Sequence, residues 1–259
     1  IILHMHLKRK ASMTTLEGIV LKERTVGEQD KFIDVLTKEK GLIELSVRGA
    51  RKINGTSSSS TQLFAYSKFC YNESKGKFHL NSSEPIHIFY ELRKSLTAIS
   101  LASYFADILR FSTASLTDSG NVLRLFLNTL HFLENGQRSE AMLKSVFELR
   151  LMAETGFMPD ILCCRSCGCF EPQELYFSLT DYCFRCSECS HGDENSFKLT
   201  ISELSAIRHI VLADFNRLFN FRLSDESLCR LSGFSELYIL SQLERNFYTL
   251  DFYKSLIGK

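Results

Sequence analysis

Two pairs of cysteines constrain this chain more than any other feature: Cys164-Arg-Ser-Cys167 and Cys186-Ser-Glu-Cys189, separated by 18 residues. Two residues between the thiols of a pair let both sulfurs face one point. A connecting segment of this length can fold back as a ribbon and bring the second pair to the same point. Four thiolates meeting in this way suit a tetrahedral Zn²⁺, with Zn–S bonds of about 2.3 Å. An all-sulfur set leaves no position for water or substrate, so the expected ion is structural: it holds a small lobe that has little core of its own.

Disulfides are the competing reading, and the cysteine count argues against them. Nine cysteines is an odd number, which suits a reducing compartment better than a fully paired secreted scaffold. The sequence shows no signal peptide and no apolar stretch of about 20 residues, so a cytoplasmic location is expected. A second CxxC, Cys183-Phe-Arg-Cys186, competes for the later pair. Cys186 with Cys189 is preferred, because Cys183 can then be a strand residue beside Phe184. Cys163 and Cys169 also flank the knuckles, whereas Cys70 and Cys229 lie in distant apolar runs and read as inert core thiols.

With 259 residues, 44% of them hydrophobic, the chain can build two or three domains around a substantial core. Residues 1–12 show no pattern and read as an extension, with Met13 as the native start. From Met13 to about residue 88 the pattern is that of strands: Glu17–Thr25, Lys31–Thr37, Gly41–Val47, Leu63–Tyr71, and Phe78–Leu80 continuing near Ile86–Phe89. Lys38-Glu39-Lys40-Gly41 reads as a hairpin turn, and Asn54 to Ser60 as a flexible polar loop. Five short strands in this length predict a small closed barrel of the OB type, which binds nucleic-acid strands across one face.

Net charge is only +1, so no global field draws the chain to nucleic acid and any attraction has to be local. Between residues 48 and 80 it is. Arg48, Arg51, Lys52, Lys68, Lys75 and Lys77 face one acid, Glu73. Phe64, Tyr66, Phe69, Tyr71 and Phe78 are interleaved with them. Cations for phosphates among rings for bases are expected to form a DNA-contacting patch, although any single ring is better placed in the barrel core.

From residue 89 to 160 the apolar spacing is helical: Leu96 to Leu109, Val122 to Leu130, and Met142 to Met152, the last stopping at Gly156. Residues 161–195 are the metal lobe, and 196–259 return to helix. There Thr200-Ile-Ser-Glu203 forms a capping box, followed by a short helix around Ser224–Leu231 and a long one from about Glu236 to Leu256. Leu125, Phe132 and Tyr104 fall off the main apolar faces, which marks them either for a partner surface or for contacts with the barrel and the C-terminal helices. His79 and His131 have no second ligand at useful spacing and read as surface or capping residues.

The order of barrel, helical body with inserted four-cysteine lobe, and C-terminal helices resembles the RecO family of bacterial recombination mediators. The resemblance runs from about Met13 to the C-terminus. It is carried by Glu17-Gly-Ile-Val-Leu, Val26-Gly-Glu before Lys31-Phe-Ile, Leu36-Thr with Gly41, and Arg48-Gly-Ala-Arg-Lys52. Leu151–Gly156 before Pro159, and Phe177-Ser178 before the second knuckle, complete it. In that family a Gly-Gly pair typically precedes the last CxxC. Tyr182-Cys183 stands there in this chain, which makes Cys183 a replacement and leaves Cys186 and Cys189 as ligands. The resemblance implies an α+β fold and a non-enzymatic protein that binds single- and double-stranded DNA. It further implies annealing of strands coated by single-stranded DNA-binding protein (SSB), docking of the SSB C-terminal tail on the helical body, and action with RecR to load RecA in the nucleoid. No phosphate loop, HExxH or GxSxG motif argues for an enzyme. The alternative is a zinc-ribbon transcription or translation factor with an OB-type domain.

Overall fold

The computed structural model describes residues 13–49, 58–113, 118–170, 172, 174–190 and 196–258. The expected extension 1–12, the first part of the polar loop, and Arg51 and Lys52 lie outside the described residues. The chain forms two compact units. One runs through Phe89 and includes Thr113–Leu123; the other comprises Tyr90–Ser112 and Arg124–Lys259.

The first unit is a closed five-stranded barrel. Its strands are β1 (Met13–Val26), β2 (Asp30–Thr37), β3 (Gly41–Val47), β4 (Ala65–Ser74) and β5 (Lys77–Ile88). They pair in the order β1-β2-β3-β5-β4, and β4 returns to β1. Alternation sends Ile33, Val35, Ile43, Leu45, Val47, Phe69 and Tyr71 inward and leaves the intervening residues on the outer face. One long strand, β1, closes the barrel by pairing with both β2 and β4. Gly18 sits where it pairs with Thr37 and Ser67 together. A Cβ there would lie 2.6 Å from Val35 Cγ1 and 2.7 Å from the Leu36 carbonyl, so only glycine fits. The β4–β5 hairpin turns on Lys75 and Gly76, both with positive φ, the geometry of a two-residue type I′ turn. The fifth expected strand is not broken after Leu80; it runs continuously to Ile88 across irregular register. The end of the polar loop is not flexible either. Ser60 and Thr61 are fully buried, with Ser60 bonded to Ser67 and Ser83 and the Thr61 carbonyl to Lys31.

The second unit is built on helices α1 (Leu96–Ser112), α2 (Gly120–Glu134, its first turn belonging to the barrel unit), α3 (Glu140–Glu154), α4 (Ile201–Leu212), α5 (Asp225–Leu243) and α6 (Tyr248–Ile257). Phe105 stacks on Phe147 at 4.1 Å in the core between α1 and α3. Of the two placements open to Tyr104 and Leu125, the structure takes internal packing: both are fully buried, and Tyr104 donates to Glu148 at 2.8 Å, inside an ion-paired network with Lys144. The capping box at Thr200 and Glu203 opens α4 as expected. The long C-terminal helix does not form. Residues from Asp225 to Leu243 make one helix, and Glu244, in the left-handed region at φ 49°, ends it before α6 begins. No helix among the described residues is long and apolar enough to cross a membrane.

Between α3 and α4 lies a small sheet, ordered β7-β6-β8, of β6 (Glu174–Ser178), β7 (Cys183–Cys186) and β8 (Ser196–Thr200). Its inner ring, Phe177, meets Phe184, Phe234 and Tyr238 at 4.9–5.6 Å. The metal lobe was expected to depend on its ion alone, but it also shares an aromatic core with α5.

Candidate functional site

The turn after Cys164 and the turn after Cys186 deliver the two knuckles to one place. The sulfurs of Cys164, Cys167, Cys186 and Cys189 all lie within 4.8 Å of one another, and Cys167 and Cys186 are 3.7 Å apart. The edge of a tetrahedron with Zn–S bonds of about 2.3 Å is about 3.8 Å, so the spacing fits such an ion. The electrostatics fit as well. Burial opposes a thiolate at Cys164, yet backbone N–H groups of Cys167, Cys186 and Ser166 outweigh it and hold the thiol down to about 6. Cys186 N–H donates to that sulfur at 3.3 Å. Cys189 is pushed up to about 12 by hydrogen bonding with Cys186 and Cys167. A cation held among the four sulfurs would favour the thiolate form of all of them.

Cys183 is not part of this cluster. It is buried on β7 opposite Ser178, and burial raises its thiol. Cys70 is half-buried and Cys229 exposed, which corrects the expectation that both are core thiols. Cys229 occupies an outward position of α5, and a short apolar run could not show which face it takes.

The described basic residues, Arg48, Lys68, Lys75 and Lys77, do not form a single patch. Arg48 and Lys77 line one cavity of about 520 Å³ on the barrel, and Gly76, beside Lys75, lines it too. Neither Arg48, Lys75 nor Lys77 has an ion-pair partner among the described residues. Lys68 stands elsewhere, on β4, with Glu17 and Glu84 as its cross-strand neighbours. The cavity opens on the face of β2 and β3 between the β1–β2 and β4–β5 turns, where Phe32, Ser46 and His79 line it. Strand alternation gave the signal for Phe32 and Ser46, but sequence spacing does not reveal that β5 runs beside β3. The acids at this face are engaged: Arg24 bridges Glu44 and Asp34, and Asp30 accepts from Gly49 N at 2.9 Å. Of the interleaved rings, Phe64, Phe69 and Tyr71 are buried, Tyr66 donates to Glu17 at 2.8 Å, and Phe78 packs edge-on against Tyr71.

The helical unit has a separate cavity of about 740 Å³, lined by Arg138, Arg222, Met142, Phe219 and Leu228 among others. Phe132, open to the same two placements as Tyr104 and Leu125, packs on Phe219 at 4.7 Å beneath the Arg138 guanidinium. His131 is exposed at the end of α2 near Asn135.

Residues 12–89 match the family model described as recombination protein O N terminal, and residues 93–251 the one described as recombination protein O C terminal. A DNA repair protein RecO of Acetivibrio thermocellus is 34% identical over 239 residues, covering 92% of this chain and 95% of that protein. Those of Alkaliphilus metalliredigens and Halalkalibacterium halodurans are 27% and 28% identical, covering 93% and 86% of this chain and 98% and 87% of the relatives. The barrel, the four-cysteine lobe, and two family models that together span the chain place this protein in the RecO family.

Proposed function

We propose that this chain is a recombination mediator of DNA repair. It binds single- and double-stranded DNA on the barrel, anneals complementary strands coated by SSB, and acts with RecR to load RecA. The observation that carries the reading is the open groove on the β2–β3 face, where Arg48 and Lys77 have no counter-ion among the described residues. Phosphate oxygens supply that counter-ion without regard to sequence. Arg51 and Lys52 belong to the same proposal, since they continue the chain from Arg48. One Zn²⁺ on Cys164, Cys167, Cys186 and Cys189 keeps the lobe in shape.

Annealing is the decisive measurement. Complementary oligonucleotides coated with SSB should pair in the presence of this protein and no added nucleotide. Absence of any acceleration, or a strict need for ATP, would overturn the reading.

A second surface belongs to the partner. The helical-unit cavity combines apolar walls from Met142, Phe219 and Leu228 with the guanidinium groups of Arg138 and Arg222. That chemistry suits the acidic, phenylalanine-ended tail of SSB: the ring enters and the carboxylates meet arginine. Arg222→Ala should weaken binding of a tail peptide by about 10- to 150-fold in calorimetry, the size of one charged hydrogen bond. A folded variant with unchanged affinity would move the tail elsewhere.

A further inference from the structure

The outer face of the barrel has a row of residues whose chemistry goes beyond phosphate attraction. The strand registers place Arg24 beside Phe32, Phe32 beside Ser46, Ser46 beside His79, and His79 beside Asn72. Phe32, Ser46 and His79 point away from the core, because Ile33, Leu45, Val47, Phe78 and Leu80 beside them along the strands fill it or pack against it. Ser46 is the small member, flanked by two rings on the adjoining strands. Phe32, Ser46 and His79 all line the groove that holds Arg48 and Lys77.

We propose that this row forms a slot for one unpaired nucleobase, with Ser46 as its floor and Phe32 and His79 as its walls. The inference rests on reading the groove as a nucleic-acid site and names what that site recognises. Adjacent strands lie about 4.8 Å apart, so the backbones of Phe32 and His79 are separated by about 10 Å. Two aromatic contacts of about 4.5–5 Å, one on each side of an inserted base, span that gap. His79 also brings a polar edge to the slot: it lines the groove, and its Nδ1 is buried with no hydrogen-bond partner among the described residues. A buried polar atom without a partner carries an energetic cost that a base edge can relieve. A duplex cannot fill such a slot without unpairing a base. Arg48 and Lys77 attract any nucleic acid, and the slot selects the single strand.

The test uses the full-length protein and three probes of equal length: a single strand carrying 2-aminopurine, the same strand with abasic sites, and a duplex. Wild-type protein should bind the base-bearing strand about 5- to 150-fold more tightly than the abasic strand, the range for one stacked base. The 2-aminopurine fluorescence should be quenched on binding. Ser46→Leu, which fills the floor, and His79→Ala, which removes a wall, should each bring that ratio towards one. Equal binding of base-bearing and abasic strands by wild-type protein overturns the slot, even if both variants misfold. So does an unchanged ratio in either folded variant. The paired substitution Arg48→Ala/Lys77→Ala separates the two ideas. If it weakens every probe while the ratio is one, the groove stands and the slot falls; if it weakens none, the groove reading itself fails.

Discussion

At the scale of single residues, the cysteines show how spacing and environment divide the work of one side-chain type. Four thiols converge within 4.8 Å, while Cys183, which makes a CxxC of its own with Cys186, is buried on β7 outside the cluster. Cys→Ser at any of the four clustered positions should lower zinc content in freshly purified reduced protein, measured by mass spectrometry, while Cys183→Ser should retain one equivalent of zinc. Chelation should loosen the lobe without unfolding α5, because Phe177, Phe234 and Tyr238 still pack together. The four ligand candidates were readable because a metal imposes its spacing directly on the chain. The exposure of Cys70 and Cys229 was not, since it depends on which face of a strand or helix meets a neighbour. Glu148 was equally hidden. It is fully buried, its carboxyl pushed up by burial and stabilised in return by Lys144, Ser235 and Tyr104. Glu148→Ala would leave buried Lys144 with only Glu236 and the Ser232 carbonyl as partners, and should cost about 3–5 kcal/mol in denaturant unfolding.

At the scale of elements, the strands were legible because the barrel buries one face, so a two-residue alternation survives in β3 and β4. The C-terminal helices were not. Leu237, Leu240, Leu243, Phe247 and Leu250 keep helical spacing straight through the break at Glu244, because Phe247 is buried as the N-cap of the next helix. Periodicity reports burial, and here burial continues where the helix does not. Gly233 lies within α5 without ending it. Glu244 carries a left-handed backbone that glycine adopts without strain, and Arg245 N–H closes the turn onto the Leu240 carbonyl at 3.3 Å. Glu244→Gly should therefore stabilise the protein by up to about 1 kcal/mol, a rise of roughly 2–4 °C in Tm by calorimetry. Gly18→Ala should act in the opposite direction. Its methyl would press on Val35 and on the Leu36 carbonyl, costing about 1–3 kcal/mol and loosening the closure of the barrel.

At the scale of the whole molecule, a net charge of +1 means that DNA affinity depends on where charges are left unpaired. The linear count from Arg48 to Lys77 treats six cations as one patch, and the barrel separates Lys68 from the other described ones. Arg48 and Lys77 share a groove, whereas Lys68 sits on β4 between the register positions of Glu17 and Glu84. Carboxylates on both neighbouring strands offset the attraction of Lys68 for phosphate, which a basic pair in an open groove does not suffer. Each phosphate contact on a single strand contributes about 0.7 to the slope of log K against log salt. Arg48→Ala with Lys77→Ala should thus lower that slope by roughly 1–2 and weaken unrelated oligonucleotides by similar factors. Lys68→Ala should leave both slope and affinity within error of wild type. Both variants should stay folded, because exposed charges contribute little to stability. Fluorescence anisotropy at four salt concentrations separates the cases. If Lys68→Ala matches the groove pair in its effect, the DNA path crosses β4 and the two faces of the barrel act together.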